Sequence, residues 1–266
     1  MKPSVSLAVF QAPAGMPALF SGAGEENLAL IRALGYQGVD LFVLDPQSAE
    51  SRAAAAALRR YGLGVGAVMP AALARQGLFL ASEDAQVRRL AVEKVRGIIQ
   101  YAAGLGGMVS LGLVRGNQGA GGAAAFEQRL ANSCEQLLET AQPLGVPLLV
   151  EPINRYEIDN LNSSAQALRF VQGSGLPLGL MLDTFHMNIE DENLAQSFAA
   201  CAPYTKHIHF VDSNRLAPGM GHLDLRALYY TVQATGYTGY LCLEALPRPD
   251  PHTCAQAGAG FFAKLS

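Results

Sequence analysis

Four side chains stand at matching points of a repeating pattern in this chain: Glu151, Asp183, His209 and Glu244. Each lies at or near the end of a short apolar run, in PLLVE (147–151), LGLMLD (178–183), HIHFV (207–211) and YLCLE (240–244). Three carboxylates and one imidazole brought to a point make a mixed oxygen and nitrogen shell, suited to a hard or borderline divalent ion such as Mn, Mg or Co. Without such an ion, carboxylates gathered there would be costly. The absence of cysteine from the set disfavours a structural zinc site. One glutamate of this kind reads as a solvated loop residue and one histidine as a satisfied semi-buried group; four in successive positions read as a metal shell.

The polar chemistry extends around them. The stretch from Leu178 to Asp224 holds His186, His207, His209 and His222, four of the five histidines, with Asp183, Asp212 and Arg215, in a chain of which only 15% is charged. Glu157, His186 and Arg215 follow the ends of the apolar runs closely, on loops over the same point, where a sugar-sized polyol needs hydrogen-bond donors and acceptors. Arg115 and the pair His222 and Asp224 are placed to join them, although Asp212, His222 and Asp224 read better as supports and loop caps.

These positions require elements that carry them to one place. Short β-branched runs at 5–10, 38–44, 63–69, 107–113, 147–151, 178–183, 207–211 and 240–244 alternate with helical periodicity near 25–34, 49–61, 83–103, 124–142, 164–172, 190–200, 225–235 and 252–264. Glycines in LGYQGVD, YGLGV, LGGMV, LGVPL, GSGLPLGL and TGYTGY mark helix ends just before the next strand. Strict βα alternation with no glycine-serine linker predicts a single (β/α)8 TIM barrel over 1–266, whose reacting groups belong at the carboxyl ends of the strands. A doubly wound sheet would more often carry G-x-G-x-x-G after the first strand, where this chain reads FQAPAG. The glycine-rich GNQGAGGAA (116–124) lacks a Walker lysine and reads as a flexible loop or lid.

Composition narrows the function. The 266 residues are 50% hydrophobic with a formal net charge of −3, and the scattered lysines and arginines form no stripe for a phosphate backbone, which excludes nucleic acid as an expected partner. Cys134, Cys201, Cys242 and Cys254 show no C-x-x-C spacing, as expected of reduced thiols and a cytoplasmic location. The N-terminal apolar run is stopped by Gln11 and reads as a first strand rather than a signal peptide. No run approaches the ~20 residues that span a bilayer, so a membrane is not an expected partner.

With these residues in view, the chain resembles the xylose isomerase-like TIM barrels, and within them the D-tagatose (ketose) 3-epimerase group and the related 5-keto-gluconate epimerases. The resemblance rests on GLVRG (112–116), EPINRYE (151–157), LDTFHMNIED (182–191), HIHFVDSNRLAPGMGHLD (207–224) and LEALPRP (243–249), and is sharpest from about residue 105 onward. It implies that Glu151, Asp183, His209 and Glu244 bind one divalent ion, Mn foremost with Mg, Co or Zn as alternatives. It also implies that Glu157, His186, Arg215 and Arg115 contact a sugar or sugar-acid substrate. Glu151 and Glu244 would then exchange protons on opposite faces of C3 of a ketose through a metal-stabilised cis-enediolate. A homo-oligomer, dimer or tetramer, accompanies that expectation. The first three loops, FQAPAGM, VLDPQS and VMPAALARQG, are apolar or small and match the family's sugar contacts poorly.

Other fates of the same chemistry are aldose–ketose isomerisation, as in hydroxypyruvate isomerase, and dehydration, as in inosose dehydratase; EPINRYE favours epimerisation. An endonuclease IV-like enzyme would need several zinc ions and a basic groove, against the acidic balance here. A non-catalytic sugar-binding barrel would not need all four ligand positions.

Overall fold

Residues 1–265 are described by a computed structural model. The apolar runs pair as eight parallel strands: β1 (Lys2–Ala8), β2 (Gly38–Phe42), β3 (Gly64–Met69), β4 (Met108–Ser110), β5 (Leu148–Val150), β6 (Gly179–Asp183), β7 (Thr205–His209) and β8 (Tyr240–Leu243). Each pairs with the next, and β1 pairs with β8 in the register Lys2↔Tyr240 to Val5↔Leu243, which closes the barrel. A two-residue strand, Phe20–Ser21, lies beside the end of β1.

The strands are hydrophobic on both faces because both are covered. Outward residues such as Val39, Leu41 and Val43 join the core beneath the helices, whereas Ala8, Phe42 and Met69 form a separate cluster, as do Ala67, Leu149 and Met181. The helix Ala85–Ala103 shows how the outer layer is built: Ala91, Val92, Val95, Ile98, Ile99 and Ala102 recur at helical spacing and are buried. Asp84 accepts from the Gln86 amide at its start, and Ser163 and Gln166 close a reciprocal cap on Ser164–Ser174. Gly62 and Gly175 end their helices at φ 64° and 66°, as the glycine pattern predicts.

Several boundaries differ from the sequence reading. The fourth strand stops at Ser110 and gives way to a 3-10 turn, Leu113–Arg115. Two helices, Thr184–Glu190 and Leu194–Cys201, follow β6, the second matching the helix expected near 190–200 and the first unforeseen. The first of these begins directly from β6 because Asp183 caps it, its Oδ1 accepting from the Phe185 amide at 2.8 Å.

Two ladders are irregular. Between β2 and β3, Asp40 alone stands opposite both Gly66 and Ala67; between β6 and β7, Lys206 is an extra residue between the partners of Leu180 and Met181. Such bulges re-aim the side chains beside them.

Candidate active site

Glu151 and Glu244 lie one residue beyond β5 and β8, and Asp183 and His209 end β6 and β7. All four are buried, and His209 Nδ1 lies 3.7 Å from Glu151 Oε1, 3.8 Å from Asp183 Oδ2 and 3.5 Å from Glu244 Oε2. Atoms held about 2.0–2.6 Å from a shared ion stand roughly 3–4 Å apart, so this spacing matches a common centre. Glu151, Asp183 and His209 thus form one close group, and Glu244 adjoins it through His209.

The unsatisfied atoms of the cluster point the same way. Asp183 Oδ2 and His209 Nδ1 are buried without a hydrogen-bond partner. Asp183 spends its other oxygen on the helix cap, which leaves Oδ2 free and fixed. Buried polar atoms are rarely left unpaired, and a cation is the partner this donor set suits. The residues thus fit one divalent ion.

Charge is distributed unevenly over the four. Burial pushes the Glu151 carboxyl up to about 8, with Glu244 and Asp183 adding to the rise against the pull of His209. Glu244 is equally enclosed, yet His209 and Arg215 hold it below the usual carboxylate range; Arg215 Nη2 is 2.6 Å from its Oε2. Burial also opposes charge on Asp183, but His186, His209 and Arg215 keep it ionised. His209 resists burial and, facing Glu244, Asp183 and Asp40, holds a proton well above the usual histidine range. A divalent ion would replace that proton and the one on Glu151.

Three further predicted residues frame the opening. Arg215 bridges Glu244 and Glu157, the latter at 3.1 Å, and its guanidinium carbon lies 5.0 Å from the centre of the Phe185 ring. Its backbone is left-handed at φ 59°, a strain of about 1–3 kcal/mol that this network holds in place. His186, one turn along the helix that Asp183 caps, is buried and held neutral by that burial. Asn154 Nδ2 donates to His186 Nδ1 at 2.7 Å and to Glu157 Oε1 at 2.9 Å. The arrangement leaves the His186 Nε2–H free to donate, 3.6 Å from Asp183 Oδ2.

Arg115 is not brought into this opening. The 3-10 turn folds it back into the protein, where Nη1 donates to the Glu151 backbone carbonyl at 2.7 Å and Nε to Asn160 Oδ1 at 2.8 Å, and Nη2 to the Asn160 carbonyl. It clamps the ends of β4 and β5 and, fully buried, does not line the cavity. Arg155, itself exposed, is spent on Glu190. Asp212 accepts the amides of Ser213, Gly219 and Leu223, His222 pairs with Ser213 Oγ, and Asp224 caps Leu225–Ala234, so this group shapes the loop after β7. The glycine-rich segment is tied down by Gln118 to Asp159, Gly121 to Glu83 and Arg129 to the Gln118 carbonyl.

Sequence reasoning missed Asn154 and Asp40. Asp40 lies in the middle of β2, wholly buried, with Oδ2 2.5 Å from His207 Nε2 and 3.1 Å from His209 Nε2. The signal for it was present: a charged residue within a buried strand demands partners, and His207 and His209 share one face at a spacing of two.

Glu151, Glu244, Glu157, His186 and Arg215 line a cavity of about 600 Å³, with Asp183 and His209 buried behind it, and its other walls include Phe10, Met16, Phe42, Met69, Phe79 and Leu113. The ends of β1 to β4 and the loops after them supply this side, which is mainly apolar as their sequences suggest, with Ser110, Arg75 and Asn117 as its polar members.

The sequence profile described as Xylose isomerase-like TIM barrel matches residues 28–265. The chain belongs to this family. An L-ribulose 3-epimerase of Mesorhizobium japonicum is 31% identical over 225 residues, 83% of this chain and 75% of that protein. The 3-dehydro-D-guloside 4-epimerase of Escherichia coli is 34% identical over 122 residues, 46% of this chain and 47% of its own length. The structure of an L-ribulose 3-epimerase superposes with a TM-score of 0.83 at 26% identity, covering 99% of this chain and 93% of that one. These likenesses make the chain an enzyme of the epimerase and isomerase kind. Among the described residues no helix is long and apolar enough to cross a membrane.

Proposed function

We propose that this enzyme is a divalent-metal-dependent epimerase that inverts C3 of a ketose or keto-sugar acid, with Glu151 and Glu244 as its two acid/base groups. The observation that carries the reading is the pair of unpartnered buried atoms, Asp183 Oδ2 and His209 Nδ1, facing Glu151 and Glu244. A divalent ion held by these four residues, Mn foremost with Mg, Co or Zn as alternatives, would polarise the ketone oxygen and stabilise the charge left when the neighbouring carbon loses its proton.

The protein's own groups divide the remaining work. Glu151 and Glu244 stand on strands separated by β6 and β7 and reach the cavity from two sides. Their surroundings set them apart before any ion binds: Glu151 holds a proton, while Glu244 is ionised beside Arg215. The His186 Nε2–H and the Arg215 guanidinium donate toward the oxygen side of the substrate, and Glu157, held by Asn154, accepts from a hydroxyl.

Incubation of candidate ketoses and keto-sugar acids with Mn²⁺ in deuterated water tests this. Deuterium at C3 of the inverted product is expected, because the two carboxyls do not share one proton. Glu151→Gln and Glu244→Gln should each lower inversion by about 10²–10⁴-fold, while the surviving carboxylate still exchanges the proton of one epimer. Exchange at C1 with an aldose product, or loss of water, would establish isomerase or dehydratase chemistry instead.

One observation favours a second reading on the same residues. The cavity continues past the four ligands along an apolar wall, with room for a substituent on the sugar, and a relative is named a 3-dehydro-D-guloside 4-epimerase. Proton exchange at C4 of a 3-keto-glycoside, with no exchange at C3 of any free ketose, would select it.

A further inference from the structure

Beneath the proposed ligands, Asp40 and His207 form a buried pair joined to the ligand His209, and the proton chemistry does not use this pair. All three are fully enclosed. Asp40 is held from several directions: Oδ1 accepts from the Ala67 amide at 3.2 Å, and Oδ2 meets His207 Nε2 at 2.5 Å and His209 Nε2 at 3.1 Å. The β3 bulge makes the space. A Cβ on Gly66 would lie 2.4 Å from Asp40 Oδ1 and 2.7 Å from His207 Cε1, so a side chain there would collide with the pair. Glycine opposite Asp40 is what lets this carboxylate sit inside the barrel.

The consequence concerns which nitrogen of His209 is presented upward. With Nε2 engaged by Asp40, only Nδ1 faces Glu151, Asp183 and Glu244, and Nδ1 has no hydrogen-bond partner. An imidazole that binds a cation through one nitrogen keeps its proton on the other, and a carboxylate accepting that proton fixes the ring's tautomer and its angle. We propose that Asp40 is the positioning residue for His209: it accepts the Nε2–H so that the Nδ1 lone pair is aimed at the divalent ion. His207 anchors Asp40 from below, and thus acts on the site through two intervening side chains. This inference rests on the metal reading of the site given above.

The test reads metal binding rather than turnover. Wild type, Asp40→Asn and His207→Gln, stripped with chelator, are titrated with Mn²⁺ and free Mn²⁺ is followed by electron paramagnetic resonance. Loss of the carboxylate should weaken Mn²⁺ binding about 10–100-fold, with a smaller loss for His207→Gln. Ser133→Ala, which removes a buried hydrogen bond to the Leu80 carbonyl on the outer layer, serves as a destabilised control and should bind Mn²⁺ like wild type. In ¹⁵N-histidine-labelled wild type loaded with Zn²⁺, His209 should carry metal on Nδ1 and a proton on Nε2; this measurement does not depend on any variant folding. Unchanged Mn²⁺ affinity in Asp40→Asn, or metal on Nε2, overturns the inference and leaves the metal reading standing. Failure of wild type to bind Mn²⁺ overturns the metal reading, and the inference with it.

Discussion

The two sides of the cavity are built on opposite plans. On the side of β5 to β8, strand ends bear Glu151, Asp183, His209 and Glu244, each tied to at least one neighbouring charge. On the side of β1 to β4, Phe10, Met16, Phe42, Met69 and Phe79 offer mainly contact area, with Arg75, Ser110 and Asn117 the polar exceptions. The first side is fixed by electrostatics, where a displaced oxygen leaves an unpaired buried charge. The second is fixed only by shape, so it can vary with the far end of a substrate while the reaction stays the same.

Substitutions on the two sides should therefore differ in kind. The largest effect is expected from Glu151→Gln or Glu244→Gln, each lowering the rate of inversion by about 10²–10⁴-fold in a steady-state assay with Mn²⁺ saturating. Next comes Arg115→Met, which leaves the carbonyls of Glu151 and Asn160 without their donor. A loss of about 3–5 kcal/mol in urea unfolding is expected, because each buried group deprived of its partner costs about 1–3 kcal/mol. If stability is kept while activity falls, Arg115 serves the substrate after all.

The pH dependence of metal uptake probes the polar side directly. Glu151 in the metal-free protein holds its proton up to about 8, and an incoming ion must displace it. Apparent Mn²⁺ affinity should rise by at least about tenfold per pH unit up to that point and climb less steeply beyond it. A flat response between about pH 6 and about pH 8 would show that Glu151 is already ionised. The smallest effect is expected opposite: Phe79→Ala should change the preference between ketoses that differ at their far carbons by about tenfold, leaving proton exchange intact. Loss of exchange in that variant would break the contrast between the two sides.

Legibility in the sequence follows the same division. Glu151, Asp183, His209 and Glu244 were visible because each interrupts a periodic apolar element at its end, and eight such elements in alternation leave few ways to fold. Arg115 was misplaced because a residue just past a strand looks as though it faces the opening, whereas the turn Leu113–Arg115 carries it inward. Asn154 carries no charge and no periodic position, and only its bonds to His186 and Glu157 disclose it. Helix Thr184–Glu190 is too short for periodicity to register, and its cap is a residue already assigned to the metal shell. The apolar side was legible as composition, but its shape arises from loops that meet only after the barrel closes.

The bulge opposite Asp40 bears on how the chain tolerates changes of length. Alternation has a period of two, so a strand that gains or loses one residue turns its following side chains to the other face. Gly66 and Ala67 face Asp40 together, and deleting Gly66 would make the β2–β3 ladder regular. Regularity would come at the expense of alignment, because the surplus residue is what accommodates a carboxylate inside the barrel while Met69 still reaches the cavity. Lys206 occupies the corresponding position in β7, beside His207. Single-residue deletions at these two sites should thus be rejected in a deletion scan of the gene, even though the ladder they leave behind is more ideal than the natural one.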